Sequence, residues 1–165
     1  MNPPSFWSSP SAYDREGEVN VRGFAGSLGA YMIAVATLGA AARSSGRLTE
    51  KYDITDLLIG GIATHKFSRL VAKGSVTSPL RAPFTEFAGA AGSSEHMERV
   101  RGEHGLRHTA GELITCPFCL DVWVATAYVA GLALAPRATR AWAAVFAITS
   151  VADFLQQVYS RLRDD

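Results

Sequence analysis

The chemistry this chain could perform rests on eight side chains. Two are the thiols of Cys116-Pro117-Phe118-Cys119, and six are the ionisable groups of His65, Lys66, Arg69, Arg81, Glu112 and Asp153. Proline is favoured at the first helical position, so Pro117 predicts a helix start with Cys116 as its N-cap. A helix N-terminus favours the thiolate and makes it reactive. Three readings stay open for the pair: two packed thiols, a thiol-redox site, or half of a metal site. Thioredoxin-like motifs follow a strand, and none is predicted before Cys116. A metal, zinc by ligand type, would need further ligands from His65, His96, His104 or His108, and there is no second Cys-x-x-Cys.

The other six acquire meaning from the elements that carry them. The chain has 165 residues, 48% hydrophobic and only 19% charged, with a formal net charge of +1. That length suits one domain or a small membrane bundle. The charge balance gives no argument for nucleic acid, and two cysteines exclude a disulfide-stapled mini-protein. Charge is unevenly spread. The segment between Arg22 and Arg43 carries none, Leu113–Pro136 carries only Asp121, and Ala141–Ser160 only Asp153. Runs of about 18 or more such residues are candidate transmembrane helices. Ile54–Ala72 is weaker, with Asp56 near its start and Lys66 and Arg69 near its end, yet at about 1.5 Å per residue it nearly covers a hydrocarbon core.

The expected fold is therefore all-α, an integral membrane bundle of about four transmembrane helices near 24–42, 54–72, 114–135 and 139–159. Gly26, Ala30, Ala34 and Ala41 in the first span, and Gly60 and Gly61 in the second, offer close helix approach. Residues 1–22 read as an N-terminal tail, Pro- and Ser-rich at its start, and 161–165 as a C-terminal tail. A cleaved signal peptide ending at Ala40-Ala41-Ala42 is disfavoured by a long leader with three acids, Asp14, Glu16 and Glu18.

Lys and Arg set the orientation. Eleven fall on one side: Arg15, Arg22, Lys66, Arg69, Lys73, Arg81, Arg99, Arg101, Arg107, Arg161 and Arg163. Five fall on the other: Arg43, Arg47, Lys51, Arg137 and Arg140. The positive-inside rule then places both termini and the long loop between the second and third helices in the cytoplasm. The thiols lie on that side, where a standing disulfide is not expected.

In this arrangement His65, Lys66, Arg69, Glu112, Cys116, Cys119 and Asp153 share the inner end of three helices. Intramembrane charges pair inside a bundle, and Asp153 is expected to pair with Lys66 or Arg69, as a structural pair or as a substrate or proton site. Asp56, near the outer end, reads as solvated or as a cap. In the loop, Pro79 and Pro83 restrict the backbone around Arg81. That arginine is expected at the headgroups, or holding a carboxylate or a lipid phosphate. Ala88–Ser94 reads as a flexible hinge, and Glu95–His108 as a solvated loop or short surface helix.

Four stretches carry a resemblance: ATHKFSRL (63–70), SVTSPLRAPFTEF (75–87), GELITCPFCLDVWVA (111–125) and VADFLQ (151–156). In this order and spacing the chain resembles an uncharacterised bacterial membrane-protein family, the domain of unknown function numbered 1360, over residues 50–160. Residues 23–49, the first span and its linker, fall largely outside it. The resemblance implies membrane location and domain extent, and no biochemical role.

No Walker, Rossmann, Gly-x-Ser-x-Gly or His-Glu-x-x-His signature is present. The leading expectation is a structural or interaction subunit of the inner membrane, in contact with the lipid bilayer and with a membrane-protein partner or a second copy. The alternatives are a membrane thiol-redox or metal protein built on Cys116 and Cys119, and an enzyme or carrier for a lipid or small anion.

Overall fold

A computed structural model describes residues 13, 19–48 and 51–164. Helix α1 spans Val21–Ser44 and α2 spans Ile54–Lys73. A 3-10 turn at Ser75–Thr77 leads into the one-turn helix α3, Ser78–Arg81. Strands β1 (Thr85–Ala90) and β2 (His96–Val100) follow, then α4 (Leu106–Thr115), α5 (Pro117–Leu134) and α6 (Pro136–Asp164).

The helix starts follow local chemistry. The Asn20 side chain accepts from the Gly23 N–H at 3.1 Å and opens α1; that of Asp53 accepts from the Thr55 N–H at 2.7 Å and opens α2. Prolines 117 and 136 occupy first positions, where a missing N–H is harmless. Gly46, at φ 65°, lets the chain turn away after α1.

Several expectations change. The chain is mostly helical but not all-α, because β1 and β2 form an antiparallel hairpin, with Thr85 opposite Val100 and Phe87 opposite Glu98. The segment read as a hinge is the end of β1 and its turn, where Gly92 (φ 110°) and Ser94 (φ 66°) take left-handed conformations. The segment read as a solvated loop supplies β2 and the start of α4. The third helix is broken at Cys116, whose extended backbone (φ −102°, ψ 104°) separates α4 from α5. At the C-terminus, α6 continues to Asp164, into the segment read as a tail. The N-terminal tail expectation falls mainly on residues 1–12 and 14–18, outside the described residues.

By length and composition α1, α5 and α6 are apolar enough to cross a membrane. Helix α2 is not among them, since Asp56, Lys66, Arg69 and Lys73 interrupt it. It is instead the central helix, packed against both α5 and α6. Ala63, Tyr128, Leu132 and Ala143 form the core, with Ile59, Trp142 and Phe146 against it. The Tyr128 ring lies directly over Gly60, where an added Cβ would come within 2.1 Å of Cε1. Gly61 faces open space.

Helix α1 lies at the side, against α5 and α4. Its covered face is Gly23, Ser27, Tyr31, Ala34, Leu38 and Ala42. The Tyr31 hydroxyl meets Thr126 Oγ1 at 2.9 Å, and its ring meets Trp123 edge-on at 5.3 Å. Of the small-residue stripe expected to pack, only Ala34 does; Gly26, Ala30 and Ala41 are exposed, because Tyr31 sets the rotation of the helix.

Candidate functional site

The four long helices alternate in direction, so the molecule has two ends. At one, Arg140 of α6 makes a bidentate pair with Asp56 of α2, at 2.8 and 2.7 Å. Tyr128 Oη donates to the Asp56 carbonyl at 2.8 Å, and Arg47 Nη1 to the Leu134 carbonyl at 3.2 Å. Asp56, read as solvated or capping, is thus an ion-pair partner of a residue 84 positions away.

The candidate residues gather at the opposite end, as separate pairs. Lys66 Nζ and the Asp153 carboxylate form an ion pair between α2 and α6, the lysine side chain 23% exposed and the aspartate 47%. Arg69 pairs with Glu95 instead, at 2.7 and 2.9 Å, tying α2 to the hairpin turn. His65 is exposed and makes no polar contact among the described residues. Glu112 accepts from Asn20 Nδ2 at 2.7 Å, and its other oxygen lies 3.6 Å from His108 Nε2. Asn20 thereby joins the start of α1 to α4. Two further polar atoms there, His108 Nδ1 and Asp121 Oδ1, are buried without a hydrogen-bond partner among the described residues, as is Ser68 Oγ of α2.

Arg81 corrects its expectation. It is wholly buried under the hairpin and not free to hold a ligand. Nε and Nη2 donate to the two oxygens of Glu98 at 2.9 and 2.7 Å. Nη1 donates to the Val71 carbonyl at 2.6 Å and to Thr77 Oγ1 at 2.7 Å, and Nη2 to the Gly74 carbonyl at 2.9 Å. A guanidinium has five N–H donors, and these contacts use all of them. Pro79 lies at the start of the one-turn helix that carries Arg81, and the carboxylate that Arg81 holds comes from the chain itself. Thr85 Oγ1 also donates to Glu98, at 2.7 Å. Burial pushes the Glu98 carboxyl up, but the Arg81 and Thr85 hydrogen bonds and the Arg81 charge outweigh it and hold the group below the usual carboxylate range. Helix α4 is pressed onto this unit at Gly111, where a Cβ would meet Val100 Cγ1 at 2.5 Å.

Cys116 is the N-cap of α5, and its Sγ accepts from the Cys119 N–H at 3.2 Å. The helix start therefore lies where Pro117 places it. The two sulfurs lie together as a disulfide-like pair, with Cα atoms 5.2 Å apart. The extended Cys116 backbone swings its sulfur over the first turn, onto the i+3 side chain. Among the described residues no group of three or more His, Cys, Asp and Glu side chains could hold a metal ion.

Neither Glu98 nor Glu95 nor Asn20 was singled out from the sequence. Asn20 three residues before Gly23 is a legible N-cap signal; the two glutamates have no local signature. Between α2, α5 and α6 lies an apolar groove of about 410 Å³, lined in part by Phe67, Ala127, Tyr128 and Trp142.

A family model described as a protein of unknown function (DUF1360) matches residues 58–159. The sporulation protein YjcA of Bacillus subtilis (strain 168) is 27% identical over 108 residues, which covers 64% of this chain and 91% of that protein. No solved structure matches the chain.

Proposed function

The chain belongs to the DUF1360 family of proteins of unknown function, and from that premise we propose a four-span protein of the bacterial cytoplasmic membrane, both termini cytoplasmic, acting as a structural or interaction subunit. The observation that carries this reading is the outward face of the long helices. Leu28 (63% exposed), Ile33 (70%), Ile148 (69%) and Phe154 (64%) have no protein cover. Soluble monomers rarely expose contiguous apolar surface of this extent, whereas lipid covers it without loss. Helix α2 enters the same layer packed against α5 and α6, its Asp56 and Lys66 answered by Arg140 and Asp153 of α6. Intramembrane charges are expected to face inward and pair in this way.

The subunit role is supported by how the polar side chains are used. Lys66, Arg69, Arg81 and Glu112 each hold two elements of this chain together, which favours a scaffold over a lipid or anion enzyme. The inner end, built from the hairpin and α4, is the surface offered to a neighbouring membrane protein or a second copy. Reporter fusions after Ser44 and after Ser94 should report opposite sides of the membrane, the latter cytoplasmic. Same-side signals would remove the four-span reading. Chemical cross-linking in membranes should trap a stable heteromeric or homomeric species, and a strictly monomeric chain would remove the subunit role.

A further inference from the structure

We infer that Cys116 and Cys119 form a thiol–disulfide exchange site that reacts with aliphatic thiols and disulfides at the α4–α5 junction. The inference goes beyond the subunit reading and depends on neither the number of spans nor their orientation.

The two sulfurs differ in surroundings. Cys119 is exposed, and Phe118 beside it is 83% exposed, so an incoming thiolate reaches the Cys119 sulfur without displacing a packed side chain. Cys116 is half-buried, and its Sγ accepts the Cys119 N–H at 3.2 Å at the first turn of an 18-residue helix. A helix N-terminus stabilises negative charge, and the more stable thiolate leaves faster in exchange. The geometry therefore assigns direction: attack at Cys119, departure of Cys116. The bond is also a poor staple. It closes a loop of three residues' separation, and such short loops constrain the unfolded chain least. The junction is held independently, by Asn20 on Glu112 and by the packing of Gly111 on Val100.

The step balances with a dithiol as reductant. One thiolate of the dithiol attacks Cys119 Sγ, the Cys116–Cys119 bond breaks, and Cys116 leaves as the capped thiolate. The second thiol of the same molecule, as its thiolate, then attacks its own chain's sulfur in the mixed disulfide. This closes a cyclic disulfide and releases Cys119. Two electrons and two protons pass from the dithiol to the protein. A substrate disulfide takes the reverse course and is reduced.

The test uses the full chain in mild detergent, equilibrated with reduced and oxidised dithiothreitol and read by maleimide mass-tagging. Approached from either side, the reduced fraction should rise from one-tenth to nine-tenths over about an 80-fold change in the dithiothreitol ratio, the signature of a two-electron couple. With oxidised glutathione, Cys116→Ser should take up one glutathione at Cys119, and Cys119→Ser should react at Cys116 at least about tenfold more slowly, since access limits exchange. A native bond that resists excess dithiothreitol but is reduced after denaturation overturns the proposal. So does an irreversible reduction, or equal rates for the two variants. Should either variant fail to fold, the curve of the unaltered chain decides.

Discussion

Replacing Arg81 by Met tests whether the buried pair with Glu98 holds the hairpin unit together. Arg81 is fully enclosed and the Glu98 side chain only 6% exposed, so solvent screening does not weaken the interaction. Removing one partner of a buried pair typically costs about 3–5 kcal/mol, because the other charge stays buried and uncompensated. Here the carbonyls of Val71 and Gly74 lose their donor as well. The unit is small enough to open locally, so the loss should appear as opening of the hairpin more than as global melting. At about 1.4 kcal/mol per tenfold, the open fraction should rise by roughly two to four powers of ten. Limited proteolysis within residues 85–100, or amide exchange of the β1–β2 ladder, reads that fraction. Arg81→Lys should recover little, because an ammonium cannot reproduce the two-pronged contact. Arg81→Met combined with Glu98→Gln should recover part of the loss. Protection equal to that of the unaltered chain would refute the account. Acid provides an independent check. The Glu98 carboxyl is depressed in the folded chain relative to an ordinary value of 4.5, so its contribution is complete above that value and is lost as the pH falls through the lower folded value. Hairpin protection should therefore weaken on the acid side of 4.5, and the weakening should be absent in Glu98→Gln.

Gly60→Ala sets a methyl group against the Tyr128 ring and should lower stability by about 1–3 kcal/mol, as overpacked cores do. Melting of the purified variant should show the loss, and Tyr128→Leu added to it should recover part; a neutral Gly60→Ala would mean that α2 and α5 are further apart than the structure has them. Asp153→Asn should lower the melting temperature only slightly, near the about 1 kcal/mol of partly exposed pairs, since Asp153 remains 47% exposed. Lys66→Met added to it should restore part of that loss, and a single variant as stable as the unaltered chain would exclude a stabilising pair.

The long helices were legible because their signal is a sum over many residues: uncharged runs fix α1, α5 and α6 to within a few positions, and Pro117 marks the start of α5. The hairpin was not. TEFAGA and HMERV are poor in β-branched residues, and the Gly and Ser between them look the same in a hinge as in a tight turn. Pairing was legible where two charges sit within apolar spans, as for Lys66 and Asp153. It was not legible for Arg81 and Glu98, which meet only because the chain folds back between them. The covered face of α1 was misread for a similar reason: small residues recur on several sides of that helix, and the one that packs is chosen by Tyr31, whose partners are on another element.

The central position of α2 has a consequence for how the chain is made. Its Lys66 awaits a partner 87 residues later, and its Asp56 a partner 84 residues later, both on the last helix. At about 5–20 residues per second, the ribosome leaves α2 without them for roughly 4–17 s. On the four-span reading, α2 is the helix least able to enter lipid alone, and it must be sheltered by the insertion machinery until α6 emerges. Nascent chains arrested before residue 140 should accordingly leave α2 outside the bilayer and open to quality-control proteases, while full-length chains escape them.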